Sequence, residues 1–186
     1  MNADDDEAYI LLLLSDGNLP TGSFVASSGL ESHVKHGFSS QPNPTVAFLR
    51  DSLETYARSA LPFVSDAQRV AEQVYRGESD AGVTLEEVVV NLTMLDEHYH
   101  AMTLNHVAKR ASQAQGVALL TLYSKGFSRP KFILNSSGQA REARLNALMN
   151  AFKTLVRRGD AYGHLPICWG VLTAALGLSI GTSCFS

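Results

Sequence analysis

The chain has 186 residues, 45% of them hydrophobic and 18% charged, enough for one domain to bury a core without disulfides or a structural metal. Its formal net charge of -3 excludes the basic field that draws proteins onto nucleic acid or an anionic membrane surface. Cys168 and Cys184 are the only cysteines; they make neither a disulfide framework nor a zinc-ligand spacing, and a reducing, cytoplasmic compartment fits that usage.

Residues 1–7 contain Asp4, Asp5, Asp6 and Glu7 and read as a disordered acidic tail, the wrong charge for the start of a secretory signal. The apolar run Ile10 to Leu14 is far short of the ~20 residues that cross a bilayer and reads as a buried helix. Ser15 to Ser23, polar and rich in glycine, is a constrained turn. From Phe24 to His36, Phe24, Leu30 and Val34 recur at roughly helical spacing, and Gly37 supplies the stop.

Asn43-Pro44 then starts a helix, because a proline loses nothing at the first helical position; its Val46, Leu49, Leu53 and Tyr56 share one face, expected to meet a core. Pro62 opens the following helix, with Phe63, Ala67, Val70 and Val74 on one side, and the two pair as a hairpin. Thr84 and Glu87 have the spacing of a capping box and start the segment Leu85 to Leu95.

Asp96 to Tyr123 reads as the longest helix, with Gly116 inside it at a cost of about 1 kcal/mol relative to alanine, which implies a kink or a close packing contact there. Ser124 to Ser137 reads as a loop around Gly126 and Pro130. Gln139 to Arg157 is helical by the spacing of Leu145, Leu148, Phe152 and Leu155, and Arg157 and Arg158 suit the negative end of its dipole. Pro166 to Leu178 is apolar nearly all round, with Gly170, Ala174 and Gly177 able to admit another backbone. β-Alternation is scarce, so the expected fold is an all-α, single-domain bundle of about eight helices, with a helical domain over 8–178 and an atypical tail over 179–186.

Compact catalytic signatures are missing: there is no GxxxxGK[ST] loop, HExxH pair, EF-hand loop or GxSxG elbow. His33 and His36 sit three apart on a helix, and His98, Met102 and His106 align at spacings of four; either set is a candidate metal-ion site, against the plainer reading of polar or half-buried helix faces. His164 beside Cys168 suggests a small cysteine-dependent hydrolase, but an apolar helix next to Trp169 raises a thiol pKa, and an inert core cysteine is the preferred reading.

Three blocks carry a resemblance. Leu14-Ser15-Asp16-Gly17-Asn18-Leu19-Pro20-Thr21-Gly22-Ser23-Phe24, continuing to Ser27-Ser28-Gly29-Leu30-Glu31, resembles the N-terminal signature of the urease accessory protein F family. Arg110-Ala111-Ser112 with Gln115-Gly116 and the following Leu119-Leu120 is similar to that family's central helix, and the run from Gly163-His164-Leu165-Pro166 to Leu178 is similar to its late apolar helix. Between residues 41 and 96 the similarity is one of helical pattern.

The resemblance implies a non-catalytic, cytoplasmic chaperone or scaffold without cofactor or resident metal. It bridges the urease accessory proteins D (also called H) and the GTPase G, dimerises within their complex, and serves nickel insertion into apo-urease. Leu19, Pro20, Thr21, Gly22, Phe24, Ser27, Gly29, Leu30, Ser112, Gly116, His164, Pro166 and Gly170 are then structural motif positions, while Glu31, Arg110 and Gln115 are candidate partner contacts. Similar proteins continue beyond the late helix, so C-terminal helices are expected to be missing here, leaving an apolar patch in want of a cover.

Overall fold

The protein is described here by a computed structural model covering residues 3–14, 16, 29–37, 43–76, 83–127 and 136–179. Among these residues the chain forms α-helices α1 (Ala3–Leu14), α2 (Leu30–His36), α3 (Pro44–Ser59), α4 (Leu61–Arg76), α5 (Leu85–Met102), α6 (His106–Leu122), α7 (Ser136–Arg158) and α8 (Leu165–Leu176), with one π-helical turn at Tyr123–Phe127 and no strand. The all-α expectation holds.

Local chemistry fixes several boundaries. Glu87 N–H donates to Thr84 Oγ1 at 3.2 Å and Thr84 N–H to Glu87 Oε2 at 2.8 Å, the reciprocal capping box that starts α5. Gly37 ends α2 with φ 62°, a left-handed conformation that a side chain disfavours. Asn43 precedes Pro44 at the start of α3 without making a side-chain cap. The long helix expected from Asp96 to Tyr123 is instead two. Thr103 turns extended, and Asn105 Oδ1 accepts from Val107 N–H at 2.8 Å and Ala108 N–H at 3.2 Å, capping a new helix. An asparagine cap satisfies donors that continuing the helix would otherwise have bonded, so the break is stable.

α8 is the centre of the fold, packed chiefly against α4 and then α6. Ile167, Cys168, Val171 and Leu172 meet Ala67 and Ala71 of α4, Leu92 of α5, Leu119 and Leu120 of α6, and Leu148 and Phe152 of α7 in one buried cluster. A Cβ on Gly170 would lie 2.4 Å from the Val64 carbonyl oxygen, so this glycine sets how closely α4 and α8 approach. Gly177 has another role: with φ 77° it caps the C-terminus of α8. Gln68 Nε2 then donates to the Leu178 carbonyl at 2.6 Å, tying the end of α8 to α4.

Two expected buried faces are open. On α1, Leu14 is buried and Ile10 and Leu11 half-buried, but Leu12 is 72% exposed, because the helix is seated by one side only. Residues 4–7, expected as a tail, belong to α1, and Glu7 accepts from Ser179 N–H at 2.7 Å. On α3, Val46, Leu49 and Leu53 face solvent, Leu53 by 70%, while Tyr56 is partly exposed with its hydroxyl desolvated near Tyr99. α3 packs on α2 and α4 by another side, through half-buried Ala47, Phe48 and Ser52.

Candidate functional site

The densest polar constellation lies where the chain enters α8. Residues Val88, Leu92, Asp96 and Tyr99 follow one face of α5, and the first three are buried. An aspartate on such a stripe must find donors, since a buried carboxylate without them costs several kcal/mol. Asp96 Oδ2 accepts from the Tyr162 and Gly163 N–H groups, each at 2.7 Å, and Oδ1 from His164 N–H at 2.9 Å. Gly163, at φ 71°, lets three successive amides turn toward one carboxylate. Burial pushes the Asp96 carboxyl upward, while the three amides and His100 pull against that.

α6 holds the same loop from its other side. Leu165 N–H donates to Ser112 Oγ at 3.0 Å. At Gly116 a Cβ would lie 2.1 Å from the Gly163 carbonyl oxygen and 2.9 Å from Cys168 Sγ. The mid-helix glycine expected to mark a kink or a close contact is therefore a close contact.

Above the carboxylate sits a stack of rings. His164 is fully buried, and its Nε2 lies 3.0 Å from His100 Nδ1, one of the two donating. His100 stacks on Tyr162 at 3.7 Å between centroids and 6° between planes, and Tyr99 meets His164 edge-on at 5.1 Å. Burial, reinforced by His100 and Lys109, lowers the His164 pKa to about 4; His100 is also lowered, first by desolvation. The His164 imidazole is neutral at pH 7. The Nδ1 of His164 has no hydrogen-bond partner among the described residues.

These groups suit a clamp better than a reaction. Both Asp96 oxygens are taken by amides, His164 is sealed, and Cys168 is fully buried with its thiol pKa driven well up by desolvation, the reverse of what a nucleophile needs. A separate cleft of about 360 Å³ between α6 and α7 is lined by Val117, Leu120, Thr121, Lys153, Val156 and Arg157, and offers no carboxylate, thiol or imidazole.

The residues singled out from sequence are distributed as follows. Ser112 and Gly116 meet the start of α8 from α6, His164 and Pro166 are buried at that start, and Gly170 packs against α4. Gly29, with φ 95°, precedes α2, whose Leu30 is half-buried and Glu31 exposed. Arg110 is exposed and Gln115 half-buried, both on α6. Leu19, Pro20, Thr21, Gly22, Phe24 and Ser27 lie outside the described residues, as does Cys184.

Neither histidine set gathers ligands: among the described residues no group of three His, Cys, Asp or Glu side chains is placed to hold a metal ion. His33 packs on the Phe48 ring at 5.1 Å. The His98–Met102–His106 alignment is broken because α5 stops at Met102 and His106 begins α6. Sequence reasoning passed over Asp96, His100 and Tyr162, although an aspartate four residues beyond Leu92 on an apolar stripe was a readable sign of a buried acceptor.

Residues 41–186 match the family model described as UreF. Over 97% of the chain the sequence is 36% identical to "Urease accessory protein 6" of Cryptococcus neoformans var. grubii, covering 66% of that protein. It is 27% identical over its whole length to "Uncharacterized urease accessory protein UreF-like" of Schizosaccharomyces pombe, covering 67% of it, and 27% identical over 90% of its length to "Urease accessory protein UreF" of Paenarthrobacter aurescens, covering 59%. The chain thus spans about two thirds of the length of the first of these relatives. No solved structure matches it significantly.

Proposed function

Since the chain belongs to the urease accessory protein F family, we propose that it acts as a non-catalytic scaffold, a chaperone that holds the accessory proteins D (or H) and the GTPase G together during nickel insertion into apo-urease. Membership of the family carries this reading. The clamp supports it: the groups best suited to acid, base or nucleophilic work, Asp96, His164 and Cys168, are buried or fully bonded at the entrance to α8. Their effect is to hold α5, α6 and α8 in one register, which is what a binding platform requires.

In this reading the protein works in the cytoplasm, is a homodimer within the complex, and uses no cofactor. Glu31, Arg110 and Gln115 are its candidate partner contacts, and nickel is cargo rather than a resident ion. The helical domain over 8–178 is the working unit and residues 179–186 are accessory to it.

Coupling nucleotide state to nickel release demands that the scaffold bind the GTPase differently in its two nucleotide states. The test is to mix the purified chain with accessory proteins D and G, with and without GTP, and to size the products by light scattering. A complex containing all three supports the scaffold. Failure to bind either protein refutes it, and tight nickel binding by the isolated chain in calorimetry would favour a direct carrier.

A further inference from the structure

We propose that the corner joining α5 to α6 is a docking surface for an acidic, apolar-pocketed face of a partner protein, with Leu104 as its plug; the inference rests on the scaffold reading above. Leu104 is 91% exposed, between Met102 at 56% and Val107 at 61%. A large aliphatic side chain left almost wholly in water is stabilised when something covers it. Leu104 holds the position before the Asn105 cap, where an apolar residue ordinarily packs on the fourth helical residue. Here that residue is Lys109, so the usual internal mate is missing.

The display is built rather than loose. Thr103 N–H and Oγ1 both donate to the Tyr99 carbonyl, each at 3.0 Å, closing α5, and Asn105 closes the start of α6. The turn is anchored on both sides while Leu104 points away. A preordered plug loses little entropy on docking. The clamp lies within electrostatic reach of this corner: Lys109 acts on both His100 and His164, and His100 carries the half-exposed Tyr162 ring.

Charge decides the occupant. Between residues 97 and 110 the permanent charges are Lys109 and Arg110 against Glu97 alone. Neither cation has an ion-pair partner among the described residues. A symmetric contact with a second copy would offer the two cations only one carboxylate from this segment, Glu97. A partner whose pocket is rimmed by carboxylates satisfies both the plug and the cations.

The experiment compares the chain with Leu104→Asp and Arg110→Glu variants. Both positions are exposed, and an aspartate before a helix start is compatible with its dipole, so circular dichroism should show unchanged helicity. Binding to the purified accessory GTPase and to purified accessory protein D is measured by biolayer interferometry at low and high salt.

We expect both variants to bind one of the two proteins about tenfold or more weakly, the wild-type affinity for that protein to fall with salt, and self-association by light scattering to be unaltered. Wild-type affinity of either variant for both proteins overturns the proposal. So does a change confined to self-association, which would make the occupant a second copy. If the wild-type chain binds neither protein, the scaffold reading fails and takes this inference with it.

Discussion

Replacing Asp96 by asparagine tests the clamp most directly. The aspartate accepts two amides on Oδ2 and one on Oδ1. Asparagine has one acceptor oxygen, so its best placement keeps the Tyr162 and Gly163 bonds and sets an NH₂ group against the His164 N–H. The two retained bonds lose their charge assistance, about 1 kcal/mol each, and the third, worth about 1.5–3 kcal/mol, is lost with a buried donor left unpaired. Relief from burying the charge offsets part of this, leaving a net loss of about 2–4 kcal/mol. With a urea slope toward the upper end of about 1–3 kcal/mol/M, the unfolding midpoint should fall by about 1 M. The control is Asp160→Asn at an exposed position of the same loop, expected to leave the midpoint unmoved. Hydrogen exchange should quicken first at Tyr162 to Leu165. A midpoint shift in Asp96→Asn no larger than the control's would refute the claim that this carboxylate holds the entrance to α8.

Acid should loosen the same region. The His164 pKa lies at about 4, below the ordinary 6.5, so its neutral form stabilises the fold fully above pH 6.5 and that contribution is lost as the pH falls through 4. About 2 kcal/mol should be gone by pH 5, and urea midpoints at pH 7 and pH 5 should differ less in His164→Gln than in the wild type. At Gly116, alanine would gain about 1 kcal/mol of helix propensity, but its Cβ would sit 2.1 Å from a backbone oxygen. Overpacking of about 1–3 kcal/mol or more should prevail, so a raised melting temperature for Gly116→Ala would contradict the close approach of α6 to the loop. Thr84→Ala should cost about 1 kcal/mol through the lost cap, readable in a thermal melt. Leu53→Gln on the open face of α3 should change stability by less than about 0.5 kcal/mol; a larger loss would show that the face is covered in solution.

Legibility of the fold followed the range of the interactions involved. The capping box at Thr84 and Glu87, the stop at Gly37 and the apolar stripe of α7 were readable because each acts within one or two turns of chain. The Asn105 cap was equally local, yet helical periodicity on both sides of it concealed the break between α5 and α6. The stripe on α3 was read correctly as a stripe and wrongly as a core face. Periodicity reports which residues share a side, and only the packing of neighbouring helices reports whether anything covers it.

At the site, the words around Ser112, Gly116, His164 and Gly170 marked positions of consequence without disclosing their task. By itself the sequence determined an all-helical chain, most of its helix limits and, through its family words, its kinship. Tertiary structure alone decided that Asp96 would take the amides of residues 66 to 68 positions later in the chain, that His100 would meet His164, and that Leu104 would be left in water. Propensity and capping are properties of neighbouring residues, whereas burial and charge partnership arise only when distant segments pack together, which no local pattern encodes.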